Sequence, residues 1–266
     1  MNIFQAIILG IVEGLTEFLP VSSTGHLILA SDLLNLNPEE HASFNIIIQF
    51  GAILAVVFLY WPRFLDLFSV NQFRRWKDTS RLNLVHVFLG IAPVLIVGFL
   101  SRNWIKAHLY RPEWVLFFTV TVAIIMILVE KFKPLACIQS LDEIGFKKSF
   151  LIGLGQCFAL APGVSRSGST MLTSMLLKVD IKTAADYSFM LSVPVISAAT
   201  IYELMKSYQL FSASQIELLV VGLVTSFLVA IVAIKTFLSV LKQWGLTPFA
   251  YYRIVFGIIY YLVKLR

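Results

Sequence analysis

Five stretches of this chain run for roughly a membrane's depth without one Asp, Glu, Lys or Arg: Phe44–Trp61, Leu82–Leu100, Trp114–Val129, Tyr187–Tyr202 and Leu218–Ile234. A sixth, Thr247–Val263, is interrupted only by Arg253. Composition agrees with a chain solvated mainly by lipid: 58% of the 266 residues are hydrophobic and 14% are charged, against about 25% charged in a soluble domain. The spacing predicts an all-α polytopic membrane protein with six transmembrane helices. The net charge of +6 is read as loop charge that sets orientation. With no continuous basic stripe outside the short loops, nucleic acid is not expected as a partner. Cys137 and Cys157 lie 20 residues apart without a Cys-x-x-Cys or Cys/His pattern, which gives no zinc site and argues against a structural disulfide. The apolar N-terminal stretch does not read as a signal peptide, since it lacks a basic start and carries two glutamates.

Two further apolar regions, residues 3–36 and 148–179, are broken near their middles by FLPVSSTGH and LAPGVSRSGS. Each half is too short to span. Broken backbone at membrane depth is tolerated only where it lines a cavity or is buried in protein, so both regions are expected to be re-entrant helix–loop–helix pairs. A shift of 143 residues lays one on the other without a gap over 32 positions. Gly10 falls on Gly153, Val21 on Val164, Ser22 on Ser165 and Gly25 on Gly168, and Glu13 meets Gln156. Each half of the chain is then one re-entrant pair followed by three spans. Because three is odd, the halves have opposite orientation. A single membrane domain built as an inverted repeat, with half-repeats 1–130 and 148–266, places its site near the midplane where the broken helices meet. Loop 62–83 holds Arg63, Arg74, Arg75, Lys77 and Arg81, and loop 131–149 holds Lys131, Lys133, Lys147 and Lys148. Both are expected to be cytoplasmic, with both termini outside.

The intramembrane polar groups carry the chemistry. Glu13 and Glu17 are four apart, so a helix puts both on one face. A carboxylate in mid-membrane costs about 2.5–3.5 kcal/mol even on the insertion scale, and two need a partner, a cation or a proton. Ser22-Ser23-Thr24-Gly25-His26 suits a polar helix start, yet His26 beside two hydroxyls and two carboxylates is also a candidate acid, base or nucleophile. The second break presents Ser165, Arg166, Ser167, Gly168, Ser169 and Thr170. Such a run offers backbone N–H groups to an oxyanion, and the planar fork of Arg166 suits phosphate oxygens. The alternative is an arginine paired internally with Glu13 or Glu17; the two roles can coexist. Arg253 reads either as a second phosphate ligand or as a cap for backbone carbonyls. For Gln49 and Gln156 the expected role is a helix–helix hydrogen bond.

EGLTEFLPVSSTGH and PGVSRSGST, with SFMLSVP and the final TPFAYYR, resemble the bacterial undecaprenyl-diphosphate phosphatase family of the BacA, bacitracin-resistance type. The resemblance covers the whole chain and shows no departure within the paired motifs. It implies hydrolysis of the C55 isoprenyl diphosphate to the monophosphate, which recycles the lipid carrier for cell-wall synthesis. It further implies functional residues at Glu13, Glu17, Ser23, His26, Ser165, Arg166 and Thr170. Six spans plus two re-entrant pairs, a site reached from the outer face of the bacterial cell membrane, and support by a divalent cation, Mg2+ or Ca2+, also follow from it. Glu13 and Glu17 are then the metal candidates; a homodimer is left open. Type-2 phosphatidic acid phosphatases also use Gly-His and Ser-Arg steps, but they need a His-x3-Asp pair. None of His26, His41, His86 and His108 is followed by Asp at that spacing.

The chemistry expected is displacement at the terminal phosphorus, with phosphate held by Arg166 and backbone N–H groups and attack by Ser23 or, second, Ser22. His26 or a glutamate takes the proton, and direct attack by water stays open. The rivals are a transporter or flippase for an anionic or phospho-lipid substrate, since inverted repeats with broken helices are a transporter plan, and a non-catalytic lipid-binding factor. The surplus of nucleophiles around Arg166 speaks against pure transport.

Overall fold

The computed structural model describes residues 1–37, 41–69, 78, 80–109, 111–207 and 212–265. Three basic residues of loop 62–83, Arg74, Arg75 and Lys77, lie outside them. Among the described residues the chain is helical throughout, with one isolated bridge between Ile138 and Val179. The helices are α1 (Ile3–Thr16), α2 (Ser23–Leu33), α3 (Ala42–Leu59), α4 (Trp61–Leu67), α5 (Leu84–His108), α6 (Pro112–Phe132), α7 (Phe146–Gln156), α8 (Arg166–Leu176), α9 (Ile181–Ser207), α10 (Ala213–Trp244) and α11 (Thr247–Tyr260). Five of them, α3, α5, α6, α9 and α10, are long and apolar enough to cross a membrane. Outward-facing side chains such as Phe99 at 79% exposure and Val232 at 64% make a surface that suits lipid and would aggregate in water. The chain is an all-α polytopic membrane protein. The sixth expected span is shorter: α11 has 14 residues and is carried on by a wide turn over Tyr261–Leu265.

Span limits differ from those drawn at charged residues. Helix α9 begins at Ile181, where Asp180 Oδ2 accepts from the Lys182 N–H at 3.0 Å, and it carries Asp186 inside it, whose carboxylate accepts a 2.5 Å hydrogen bond from the Tyr60 hydroxyl. Helix α10 continues through Lys235 and Lys242 to Trp244; long basic side chains near a helix end reach the interface along their own apolar stems.

The two breaks are folded alike. Among the described residues the non-glycine positions with positive φ are Ser22 (73°), Asn35 (56°), Ser165 (81°) and Lys178 (68°). Ser22 pairs with Ser165, and Asn35 with Lys178, at the same shift that relates the sequences. Helices α2 and α8 have 11 residues each and begin and end at matched positions. Their exits match as well: Leu36 N–H donates to Ser31 O at 2.8 Å, and Val179 N–H donates to Ser174 O at 3.0 Å. Each opening helix packs on a span of the other half, α1 on α10 and α7 on α5. Glycine permits both approaches: a Cβ on Gly10 would lie 2.8 Å from Gly222 O, and one on Gly153 would lie 2.7 Å from Gly90 O.

One clasp puts the two basic loops on the same side. Arg63 Nη2 donates to Asp142 Oδ2 at 2.9 Å, and the Leu82 N–H donates to Asp142 Oδ1 at 2.9 Å. Partial burial would raise the Asp142 carboxyl, but these hydrogen bonds outweigh it and hold the group below the usual carboxylate range. At the other end of the bundle Ser43 Oγ donates to Glu203 Oε1 at 2.7 Å, joining the start of α3 to the end of α9.

Candidate active site

Both breaks begin their second helix on a strained residue. Ser22 (φ 73°, ψ 89°) precedes α2 and Ser165 (φ 81°, ψ 122°) precedes α8. Non-glycine residues occupy such regions only where the surroundings over-determine them, and such strain collects at functional sites. The tight turn before Ser165 passes through Gly163, whose φ of 95° suits only glycine well. Arg253 clamps the two turns together. It is fully buried, and its donors reach the carbonyls of Thr119 (3.0 Å), Pro20 (2.9 Å), Val164 (3.1 Å), Gly163 (2.5 Å) and Phe118 (3.5 Å). A guanidinium has five N–H groups, and all are accounted for by backbone. Of the two roles open for Arg253 the structure selects the carbonyl cap; as a phosphate ligand it has no donor left.

Arg166 is spent differently. Its Nη2 donates to Glu17 Oε1 at 3.1 Å and its Nη1 to Ser188 O at 3.0 Å, while its buried Nε has no hydrogen-bond partner. Glu17 Oε2 accepts from Ser23 Oγ at 2.6 Å. A hydroxyl from the first break and a guanidinium from the second thus meet on one carboxylate. A cavity of about 200 Å³ opens beside them, lined by Glu17, Ser23, Thr24, Gln49, Ser165 and Arg166 on its polar part and by Ala159, Val195, Ile196 and Ala199 on its apolar part. At about 30 Å³ per water in the liquid it would hold roughly half a dozen waters, enough for a phosphate-sized head. Val195–Ala199 lie in the half of α9 that ends at Ser207. The cavity therefore extends away from the Arg63–Asp142 clasp, toward the Ser43–Glu203 end.

The remaining candidates stand around this wall. Ser165 Oγ caps the Gly168 N–H at 3.2 Å and lies 3.0 Å from Ser167 Oγ; Ser167 Oγ donates to Leu19 O at 3.0 Å. Thr170 Oγ1 lies 2.6 Å from Ser188 Oγ and within 3.0 Å of two carbonyls of its own helix. Ser167, Gly168, Ser169 and Thr170, expected as phosphate ligands, are thus buried behind the wall, where they hold the start of α8; the wall itself carries Ser165 and Arg166. Ser22 likewise acts through its backbone. Its carbonyl faces His26 Nδ1 at 2.9 Å, and a carbonyl only accepts, so Nδ1 carries a proton. His26 Nε2 lies 2.7 Å from the Tyr252 hydroxyl, and the ring is stacked 4.0 Å from Phe256. His26 is therefore turned toward α11, and the Ser23 proton points to Glu17.

Glu13 sits one turn before Glu17, fully buried, with both oxygens lacking a hydrogen-bond partner. An ionised carboxylate so placed needs a cation; without one it holds a proton. Among the described residues no group of three or more His, Cys, Asp and Glu side chains converges on a metal position, so those residues build no complete cage. Two carboxylates are nonetheless the donor set with which Mg2+ is commonly held, the rest coming from water and substrate phosphate. Glu13 and Glu17 fit that set.

Two contributors escaped the sequence reading of single residues. Ser188 and Tyr252 lie inside SFMLSVP and TPFAYYR, segments noticed only for their resemblance. Gln49, expected to bond another helix, instead lines the cavity, whereas Gln156 does bond a helix, its Nε2 donating to Gly90 O at 3.1 Å.

Residues 6–259 match the family described as bacitracin resistance protein BacA. The chain is 45% identical over 264 residues to undecaprenyl-diphosphatase 1 of Bacillus cereus (strain ZK / E33L), covering 99% of each chain. It is 46% identical over 265 residues to undecaprenyl-diphosphatase of Desulfovibrio desulfuricans, covering 98% of each. With undecaprenyl-diphosphatase 1 of Bacillus anthracis it shares 45% over 259 residues, 97% of each.

Proposed function

The chain belongs to the bacitracin resistance protein BacA family, and from that premise we infer that it is an integral membrane phosphatase converting undecaprenyl diphosphate and water into undecaprenyl phosphate and inorganic phosphate. This recycles the lipid carrier of cell-wall synthesis and gives bacitracin resistance. The observation that carries the reading is the single carboxylate, Glu17, that receives the Ser23 hydroxyl and the Arg166 guanidinium at the wall of one cavity.

Phosphoryl transfer needs positioning and charge neutralisation more than covalent machinery. The unspent N–H groups of Arg166 hold the terminal phosphate. Ser23 Oγ bonds to its phosphorus as the bridging P–O bond breaks; the electron pair leaves on undecaprenyl phosphate and the Ser23 proton passes to Glu17. Water then attacks the phosphoserine, its oxygen joining phosphorus as the Ser23 Oγ–P bond breaks; one water proton goes to Ser23 Oγ and the other stays on the phosphate. Inorganic phosphate leaves, and Glu17 releases its proton. A divalent cation, Mg2+ or Ca2+, held by Glu13 and Glu17 would neutralise phosphate charge when bound. Ser165 on the wall and Thr170 behind it fix the start of α8, and Tyr252 fixes the ring of His26.

The matched breaks support two half-repeats, 1–130 and 148–266, of opposite orientation. Loop charge supports a cytoplasmic Arg63–Asp142 face, which directs the cavity to the outer face of the bacterial cell membrane. Two measurements test these points. Purified protein in detergent, where no compartment exists, is expected to release inorganic phosphate from C55 diphosphate; binding without release would leave a transporter or a lipid-binding factor. Cys137 is exposed in the basic loop 131–149, so a membrane-impermeant thiol reagent on intact cells is expected to spare it. External labelling of Cys137, with an internal control protected, would reverse the orientation.

A further inference from the structure

Gln49 is an amide at membrane depth that the protein does not use. It lines the cavity, and no hydrogen bond among the described residues ties its side chain to another group. Gln156, at comparable depth, is tied to Gly90 O. Gln49 is half-buried, and an amide whose carbonyl and N–H groups are both unused on the wall of a polar cavity is placed to hydrogen-bond a ligand there. All other polar side chains of the wall (Glu17, Ser23, Thr24, Ser165 and Arg166) come from the two breaks; Gln49 alone comes from a span.

Its level along the bundle follows from the bonds that tie α3 to α9. Ser43 meets Glu203, and Thr200 Oγ1 donates to Ile46 O at 3.4 Å. The helices are antiparallel, so three residues further along α3 Gln49 comes level with Ile196–Ser197. Ser188, which holds Arg166, is eight residues below Ile196, about 12 Å at 1.5 Å per residue. Gln49 and Arg166 both line the cavity. Ala199 lies on the same wall toward the outer end. From the Ser188 level outward this wall carries Arg166, then Gln49 with Val195 and Ile196 beside it, then Ala199. A lipid diphosphate has the same order: terminal phosphate, lipid-linked phosphate, hydrocarbon.

We propose that Gln49 donates through its Nε2 amide to the lipid-linked phosphate of the substrate, so that it selects a diphosphate over a single phosphate and stabilises the charge that develops on the leaving monophosphate. The proposal rests on the phosphatase reading of the same site. Its test separates the two phosphate positions with two inhibitors of phosphate release from C55 diphosphate: inorganic phosphate, which fills the Arg166 position alone, and a non-hydrolysable methylene-bridged farnesyl diphosphonate, which fills both. Gln49→Met, near in volume, is expected to raise the inhibition constant of the diphosphonate about tenfold, the loss of one hydrogen bond to a charged group, and to leave that of inorganic phosphate unchanged. Gln49→Glu, with like charge facing the ligand, is expected to raise it about a hundredfold. Because no protein group depends on this amide, the Met variant is expected to melt with wild type. Equal shifts for both inhibitors, no shift for either, or a clearly lowered melting temperature of the Met variant would overturn the proposal. Failure of the phosphatase reading itself has a separate signature, the absence of phosphate release by wild type.

Discussion

Glu17→Gln is expected to remove turnover almost completely, by about a thousandfold or more, which corresponds to roughly 4 kcal/mol in the transition state. The reason lies in what the carboxylate touches. Ser23 Oγ donates to Glu17 at 2.6 Å, and Arg166 donates to its other oxygen at 3.1 Å. A glutamine accepts through its carbonyl oxygen but takes no proton from serine and brings no charge to a cation. Ser23→Ala is expected to be equally damaging, and the double variant little worse than either, because groups that act as one unit are strongly non-additive. Steady-state phosphate release from the four proteins forms the cycle. Glu17→Gln also leaves Arg166 facing a neutral amide, and an unpaired buried charge can cost about 3–5 kcal/mol of stability. Ser23→Ala keeps the Glu17–Arg166 pair and is expected to melt with wild type, so it separates lost chemistry from lost fold. If Ser23→Ala retained wild-type turnover, attack by Ser23 would be excluded, leaving water or Ser22 as the nucleophile. If Glu17→Gln retained it at saturating magnesium, both the proton and the cation roles of Glu17 would go.

Much of this site is legible before any coordinates, for a physical reason. Against a hydrophobic background a glutamate pair, a serine run or an arginine at membrane depth is an anomaly, and the cost of burying it makes chance an inadequate account. The matched breaks are legible for a related reason: Ser22 and Ser165 must both occupy backbone regions that few residues enter. Orientation of a side chain around its helix is a different matter. Gln49 and Gln156 look alike in sequence, yet one faces the cavity and the other faces Gly90. Arg253 and Arg166 are both arginines in apolar surroundings, but their donors go to five carbonyls in one case and to Glu17 and Ser188 in the other. Partners from 22 residues away (Arg166–Ser188) to 233 residues away (Arg253–Pro20) decide these differences, and no local pattern encodes them. Charges placed span limits wrongly for the same reason: Asp186 sits within α9, where Tyr60 reaches it from α3's end.

Arg166→Lys is expected to lower turnover by about a hundredfold or more, roughly 2.7 kcal/mol, with little change in melting temperature. Lysine keeps the charge and can still pair with Glu17, so the electrostatic link between the two breaks survives. What it loses is the planar fork. Arg166 reaches Glu17 with one terminal nitrogen and the Ser188 carbonyl with the other, and it keeps a buried Nε–H without a partner beside the cavity. A single ammonium cannot hold both protein anchors and also present two parallel N–H groups to phosphate oxygens. If Arg166 were only a structural charge pair, lysine would serve nearly as well. The contrast with Arg253 sharpens the test. Arg253→Lys leaves several of its carbonyl contacts without a donor, so it is expected to lower the melting temperature along with activity, whereas Arg166→Lys is expected to lower activity alone. Phosphate release and melting curves in one detergent read both. An Arg166→Lys protein that melts normally and hydrolyses at the wild-type rate would show that the guanidinium does not hold the reacting phosphate.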